Sequence, residues 1–390
     1  MADLLWPGDH RAGVIFSDEA VLAAMVEVEQ AWLDGLVAGG VVGEGADLTG
    51  LVGSADLPSL AEGAEAGGNP VIGLVGWLRS RSGCPSVHRG LTSQDVVDTA
   101  LVLCLRSAVD AVRADVARQA RALAGLAVTH RGSVMAGRTL TQHAVPVTFG
   151  LKAAGWLAGL AAAVERLDAL PPLPVQVGGA AGTLAAVVEL GGSTDLVADV
   201  ATRLGLAPAT PWHTERSALT SYADALVGLA DVWGRVAGDV ALLSRPEIGE
   251  LREGSGGGSS TMPGKANPVL STLLRRHALA APGLAATLHV AAASYVDERP
   301  DGAWHAEWDT LRLLARRSVV AAAQAADLLE GLVVDAGRMA ARAAEAAGTL
   351  TAEQVSMGGD GGDPSAYLGA TDPFIDAALD RAGRLWKDLT

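Results

Sequence analysis

Apolar positions recur at three- and four-residue intervals through most of this chain, the period of an amphipathic helix. Over 17–41, Val21, Met25, Val28 and Trp32 line one face and Ser17 stands as a cap. An apolar helix over 71–78 follows Gly67-Gly68-Asn69-Pro70, and 79–90 reads as a loop. From Ser93 the stripe Val102, Leu105, Val109, Val112, Val116 and Leu123 predicts a long helix, with Asp110, Arg113, Arg118 and Arg121 off it. A break at 131–137 leads to a second long helix over about 144–169, stopped by Pro171-Pro172. Further helices are expected near 186–204, 215–244, 268–294 (kinked at Pro282), 304–332 and 373–387. Stretches 42–68 and 345–364 are less regular, and Gly and Asp dominate 357–364.

The pattern predicts a mostly α fold, an elongated long-helix bundle. It divides into a small N-terminal helical domain at 1–91, a central bundle at 92–332 and a short C-terminal helical region at 333–390. Many of these helices are apolar on more than one face, so self-association is expected to cover them. The composition is 49% hydrophobic but only 4% aromatic, which makes the core one of Ala, Val and Leu. A net charge of −15 disfavours nucleic acid as a partner, though a locally positive pocket for a small anion remains compatible with it. The start of the chain lacks the basic and apolar runs of a signal peptide, and no apolar run is long enough to span a membrane. With Cys84 and Cys104 forming no disulfide framework, a cytoplasmic location is expected. The eight histidines show no metal spacing, so neither a metal nor another cofactor is implied.

Residues 254–268, Gly-Ser-Gly-Gly-Gly-Ser-Ser-Thr-Met-Pro-Gly-Lys-Ala-Asn-Pro, break the helical pattern most sharply. A Gly/Ser run cannot pack a core, whereas Asn267 and Pro268 suit the start of a helix. A helix start with Lys265 beside it favours an anion. The spacing excludes a phosphate-binding P-loop: five residues separate Gly258 from Gly264, and Ala266 follows the lysine.

This loop resembles the signature loop of the fumarase/aspartase superfamily. Four other stretches resemble blocks of the same superfamily: 88–100, 137–146, the Gln176 and 178–183 region, and 211–216. The resemblance implies that Ser259 is the catalytic residue. His88, Thr92, Ser93, Thr139, Gln142, His143, Arg216, Ser260, Lys265 and Asn267 would bind the substrate, a small polycarboxylate. It also implies a homotetramer whose sites are assembled from three subunits. Within the superfamily, 139–144, 297–308 and 363–370 are most similar to the 3-carboxy-cis,cis-muconate cycloisomerases, which form a lactone from a tricarboxylic diene in protocatechuate breakdown.

Two departures bear on the chemistry. Amine-eliminating relatives carry His where this chain has Leu140, because a departing amine must be protonated. A carboxylate, with a pKa of roughly 4, leaves without a proton. Leu140 therefore fits lactonisation, or expulsion of another stable anion such as nitrite from a succinate derivative. An inactive structural homologue is a third reading, opposed by the intact Ser259, Lys265 and Asn267. The second departure is the short segment between Leu332 and Asp363, where the cycloisomerases hold a helical third domain.

Overall fold

A computed structural model describes residues 3–254, 257–258, 261–262 and 264–387. Helices dominate it. In chain order, α1 (Asp18–Ala38), α2 (Leu57–Gly67) and α3 (Val71–Ser82) precede α4 (Ser93–Thr129). The strands β1 (Val134–Thr139) and β2 (Gln142–Thr148) lead into α5 (Phe149–Asp168), α6 (Ala185–Glu189), α7 (Asp195–Leu204) and α8 (Ser217–Leu243). Then come β3 (Leu251–Arg252), α9 (Val269–Ala293), α10 (Gly302–Glu330) and β4 (Val333–Val334). Finally α11 (Ala336–Glu345), α12 (Ala347–Leu350), α13 (Ala352–Ser356) and α14 (Thr371–Leu385) complete the chain.

Two expected helices start or break elsewhere. The helix expected from 144 begins only at Phe149, because 142–148 pairs antiparallel with β1 as a hairpin. Pro146 disfavours helical backbone at Val145, and the Thr148 hydroxyl caps α5 by accepting from the Leu151 amide at 3.1 Å. Gly137 sits at the register shift of the hairpin, where a Cβ would lie 2.4 Å from the Val145 carbonyl oxygen. The helix expected over 186–204 is two helices, separated where Gly191 takes a φ of 85°.

The chain forms two compact units, each discontinuous in sequence. One comprises Met1–Ala111, Leu170–Asp224 and Pro282–Val319. In it α1 buries Leu22, Met25, Val28, Trp32 and Leu36, each side chain contributing about 1.5–3 kcal/mol by leaving water. Helix α7 approaches α1 at Gly35, where a Cβ would come within 2.9 Å of Leu196. The N-terminal segment is held by Arg316, whose guanidinium donates to both Asp9 carboxylate oxygens at 2.7 and 2.8 Å and to the Gly13 and Ile15 carbonyls.

The other unit comprises Val112–Ala169, Ala225–Ala281 and Val320–Thr390. Here α14 lies against α5, with Ile375 and Ala378 packed among Ala127, Ala153 and Ala154. Such small side chains let helices approach closely. Helix α11 covers the hairpin through Ala343 and Ala136. Buried Gln119 is satisfied at both ends, donating to the Ala322 carbonyl at 2.8 Å and accepting from the Trp233 indole at 2.8 Å. Among the described residues, no helix is long and apolar enough to cross a membrane.

Candidate active site

In the first unit the start of α4 is built around Asp95, a fully buried carboxylate. Its oxygens accept from the amides of Thr92, Gly178 and Gly179 at 2.9–3.0 Å. They also accept from the Gln176 side chain at 3.1 Å and from His213 Nε2 at 2.8 Å. Five donors offset the desolvation of the carboxylate and fasten the 176–182 loop to the helix start. Gln176 also accepts from the Trp212 amide at 2.7 Å, so its side chain is used inside the fold.

One turn along α4, buried Asp98 and Glu307 enclose Arg216. The guanidinium donates to Asp98 at 2.7 and 3.0 Å and to Glu307 at 2.6, 3.0 and 3.2 Å. Trp304 donates its indole N–H to Asp98 at 2.9 Å. Burial works against the Arg216 charge, but the two carboxylates outweigh it and hold the group above its ordinary range. Burial likewise pushes the Glu307 carboxyl and the Tyr295 phenol up, with Arg216 opposing both. Within one chain, then, the Arg216 charge is balanced by its own carboxylates.

Thr92, which is buried, and Ser93, which is half-buried, lie at the start of α4. The Thr92 hydroxyl accepts from Arg299, which also reaches the Ala180 carbonyl at 3.0 Å. His88 has a left-handed backbone, φ 63°, and its Nδ1 lies 2.6 Å from the buried Glu29 carboxylate. His88, Thr92 and Ser93 thus fall on one short segment whose geometry is set by Glu29, Asp95 and Arg299.

In the second unit, Thr139, Gln142 and His143 flank the hairpin turn Leu140-Thr141, where φ is 48° and 70°. All five side chains are exposed, Leu140 at 96%. The base of the hairpin is anchored by Arg138, which meets the fully buried Glu250 carboxylate at 2.8 and 3.1 Å. The tip therefore projects a row of polar side chains from a fixed base.

Lys265 and Asn267 belong to the stem of the Gly-rich loop. Asn267 pairs with Gly257 through two backbone hydrogen bonds, 2.8 and 3.0 Å, and Lys265 is exposed. A Cβ on Gly257 would lie 2.2 Å from Val269, so only glycine fits this crossing. Ser259 and Ser260 lie outside the described residues, as does Gly256. Among the described residues, no hydrogen bond joins this stem to the hairpin tip.

The expected anion at the start of the long helix is supplied by the chain itself. Buried Glu253 accepts from the Leu270 and Ser271 amides at 3.1 and 2.8 Å and from the Ser271 hydroxyl at 2.7 Å. The first amides of α9 are thereby satisfied, and the Asn267 side chain instead reaches the Gly258 carbonyl at 3.4 Å. Asp95, Arg299, Glu253 and Glu29 were not among the sequence-predicted residues. Asp95 and Arg299 stand inside the family-like blocks, whereas Glu29 and Glu253 find partners 59 and 17–18 residues away.

Known proteins resemble this chain in sequence and in fold. A family model described as Lyase matches residues 64–283. Nitrosuccinate lyase of Streptomyces davaonensis is 45% identical over 362 residues, covering 87% of this chain and 76% of that protein. The 3-carboxy-cis,cis-muconate cycloisomerase of Pseudomonas aeruginosa is 44% identical over 314 residues, covering 77% of this chain and 68% of that one. The crystal structure of the 3-carboxy-cis,cis-muconate lactonizing enzyme from Pseudomonas putida superposes with a TM-score of 0.85 at 32% identity, covering 96% of this chain and 97% of that chain. Family match, relatives and fold agree, and the chain belongs to the lyase family of the fumarase/aspartase superfamily, of which it is an enzyme.

Proposed function

We propose that this enzyme closes 3-carboxy-cis,cis-muconate to 4-carboxymuconolactone. One substrate carboxylate oxygen forms a bond to a carbon of the conjugated system, and a proton is delivered to the neighbouring carbon. The observation that supports this reading over amine release is Leu140 at the exposed hairpin tip beside Thr139, Gln142 and His143, a side chain that offers no proton. Ser259 is assigned the proton transfer, with Ser260, Lys265 and Asn267 on its loop. His88, Thr92, Ser93, Thr139, Gln142 and His143 are assigned to substrate binding. For Arg216 the role is indirect: it shapes the site through Asp98 and Glu307.

A second reading has its own support. The same machinery run in the opposite sense removes a proton next to a carboxylate and expels an anion. Nitrite needs no acid to leave, so Leu140 fits nitrosuccinate as well, and the 45% identical relative is named for that activity. Two incubations separate the readings. Lactonisation removes the diene absorbance of 3-carboxy-cis,cis-muconate without added cofactor, while nitrosuccinate yields no nitrite. Nitrite release with the diene absorbance unchanged transfers the assignment to the second reading.

The working unit is proposed to be a homotetramer with sites shared between subunits. Leu279 and Val290 on α9 are 83% and 67% exposed. Exposed apolar side chains of this size are surface that a second copy would cover. A fully active monomer in sedimentation at micromolar concentration overturns this assembly.

A further inference from the structure

Glu29 belongs to α1 and is fully buried, yet one of its carboxylate oxygens has no hydrogen-bond partner. The other lies 2.6 Å from His88 Nδ1. An isolated carboxylate in a core is costly, so its retention against a histidine calls for a reason beyond packing. The His88 backbone is itself held in a conformation that residues with a Cβ rarely adopt. Both neighbouring carbonyls are clamped: Arg79 donates twice to Val87, at 2.9 and 3.1 Å, and Trp32 donates to Arg89 at 2.9 Å. Trp32 lies one turn along the same helix as Glu29. One face of α1 therefore fixes both the backbone and the ring of this residue.

Because a carboxylate only accepts, Nδ1 carries the hydrogen, and Nε2 is the nitrogen left for a ligand. His88 Nε2 has no partner among the described residues, and the side chain is 16% exposed. We propose that Glu29 is the positioning residue of His88, fixing the ring orientation and supplying the negative charge that balances the imidazolium in which Nδ1 donates to Glu29 and Nε2 donates to a substrate carboxylate. The inference rests on the polycarboxylate reading above but not on which polycarboxylate is turned over.

A double-mutant cycle on the full-length protein tests it, with propane-1,2,3-tricarboxylate as an inert probe and calorimetric affinity as the readout. Glu29→Gln keeps an acceptor for Nδ1 and removes the charge. Affinity for the probe is expected to fall about 10-fold, the scale of a charge-assisted hydrogen bond, while Tm does not fall. In a His88→Ala background the same substitution is expected to change affinity no further. With whichever substrate the wild type turns over, the loss is expected in KM more than in kcat. Equal losses from Glu29→Gln in both backgrounds overturn the inference, as does an unchanged affinity in Glu29→Gln when His88→Ala weakens it. Failure of the wild type to bind the tricarboxylate overturns the polycarboxylate reading itself, an outcome distinct from either.

Discussion

Arg216 and Asp98 meet through two hydrogen bonds of 2.7 and 3.0 Å with neither side chain exposed to water. Glu307 closes the other side of the guanidinium at 2.6 Å. Removing the cation leaves two buried carboxylates facing each other. Arg216→Leu should therefore destabilise the protein by about 3–5 kcal/mol, the usual cost of breaking a buried pair. Thermal unfolding followed by circular dichroism checks this. A Tm unchanged from wild type would show that the charges are not buried in solution.

Glu253 ties the first amides of α9 to the stem of the Gly-rich loop. Glu253→Ala leaves the Leu270 and Ser271 amides unsatisfied and should cost about 1–3 kcal/mol. Glu253→Gln, which keeps one acceptor, should cost less. Hydrogen exchange at Leu270 and Ser271 reads the effect at the site: faster exchange in the alanine variant is expected, and unchanged protection contradicts the capping role.

Ser259 is assigned the proton transfer. A positioned proton-transfer group is worth about 10²–10⁴ in rate, so Ser259→Ala should lower kcat by that factor and leave substrate binding largely intact. Ser260→Ala should be milder. Full kcat in Ser259→Ala, with a collapse in Ser260→Ala or His143→Ala, moves the assignment to the residue that fails.

At the hairpin tip, Leu140 and Thr141 hold left-handed backbone, which Asn and Gly adopt more readily. Leu140→Asn with Thr141→Gly should stabilise the hairpin by about 0.5–1 kcal/mol, visible as a raised Tm. Leu140→His adds a proton donor that a departing carboxylate or nitrite does not need. It should leave turnover no higher, and a large gain would mean that an acid was required.

Burial pushes the Cys104 thiol up to about 12, so little thiolate forms at neutral pH. Native protein at pH 8 should react with a chromogenic disulfide reagent at Cys104 far more slowly than denatured protein. The sign of the linked effect follows from the raised value. The folded state keeps the proton that the unfolded thiol loses above about 8.5, so this contribution to stability is full below that pH. It declines as pH rises towards about 12. Rapid native labelling at Cys104 contradicts its burial.

Local periodicity determined much of this protein. The stripe from Val102 to Leu123 is α4, and Ser17 caps α1 by accepting from the Ala20 amide at 3.2 Å. Such features depend on residues three or four positions apart, which a sequence places side by side. The family-like blocks fall at the start of α4, at the hairpin tip, which the periodicity did not predict, and at the loop stem. Only the tertiary structure decided what those blocks touch. Residues 144–148 look helical in isolation, but pairing with 134–139 through Pro146 and the Gly137 bulge makes them a strand. Arg216 reads as a cation for the substrate until Asp98, 118 positions away, and Glu307, 91 away, enclose it. The start of α9 reads as an open anion site until Glu253 occupies it. For Arg216 and for the start of α9 a burial cost is offset by a partner outside the local motif, and burial is a property of the folded chain that no local spacing records.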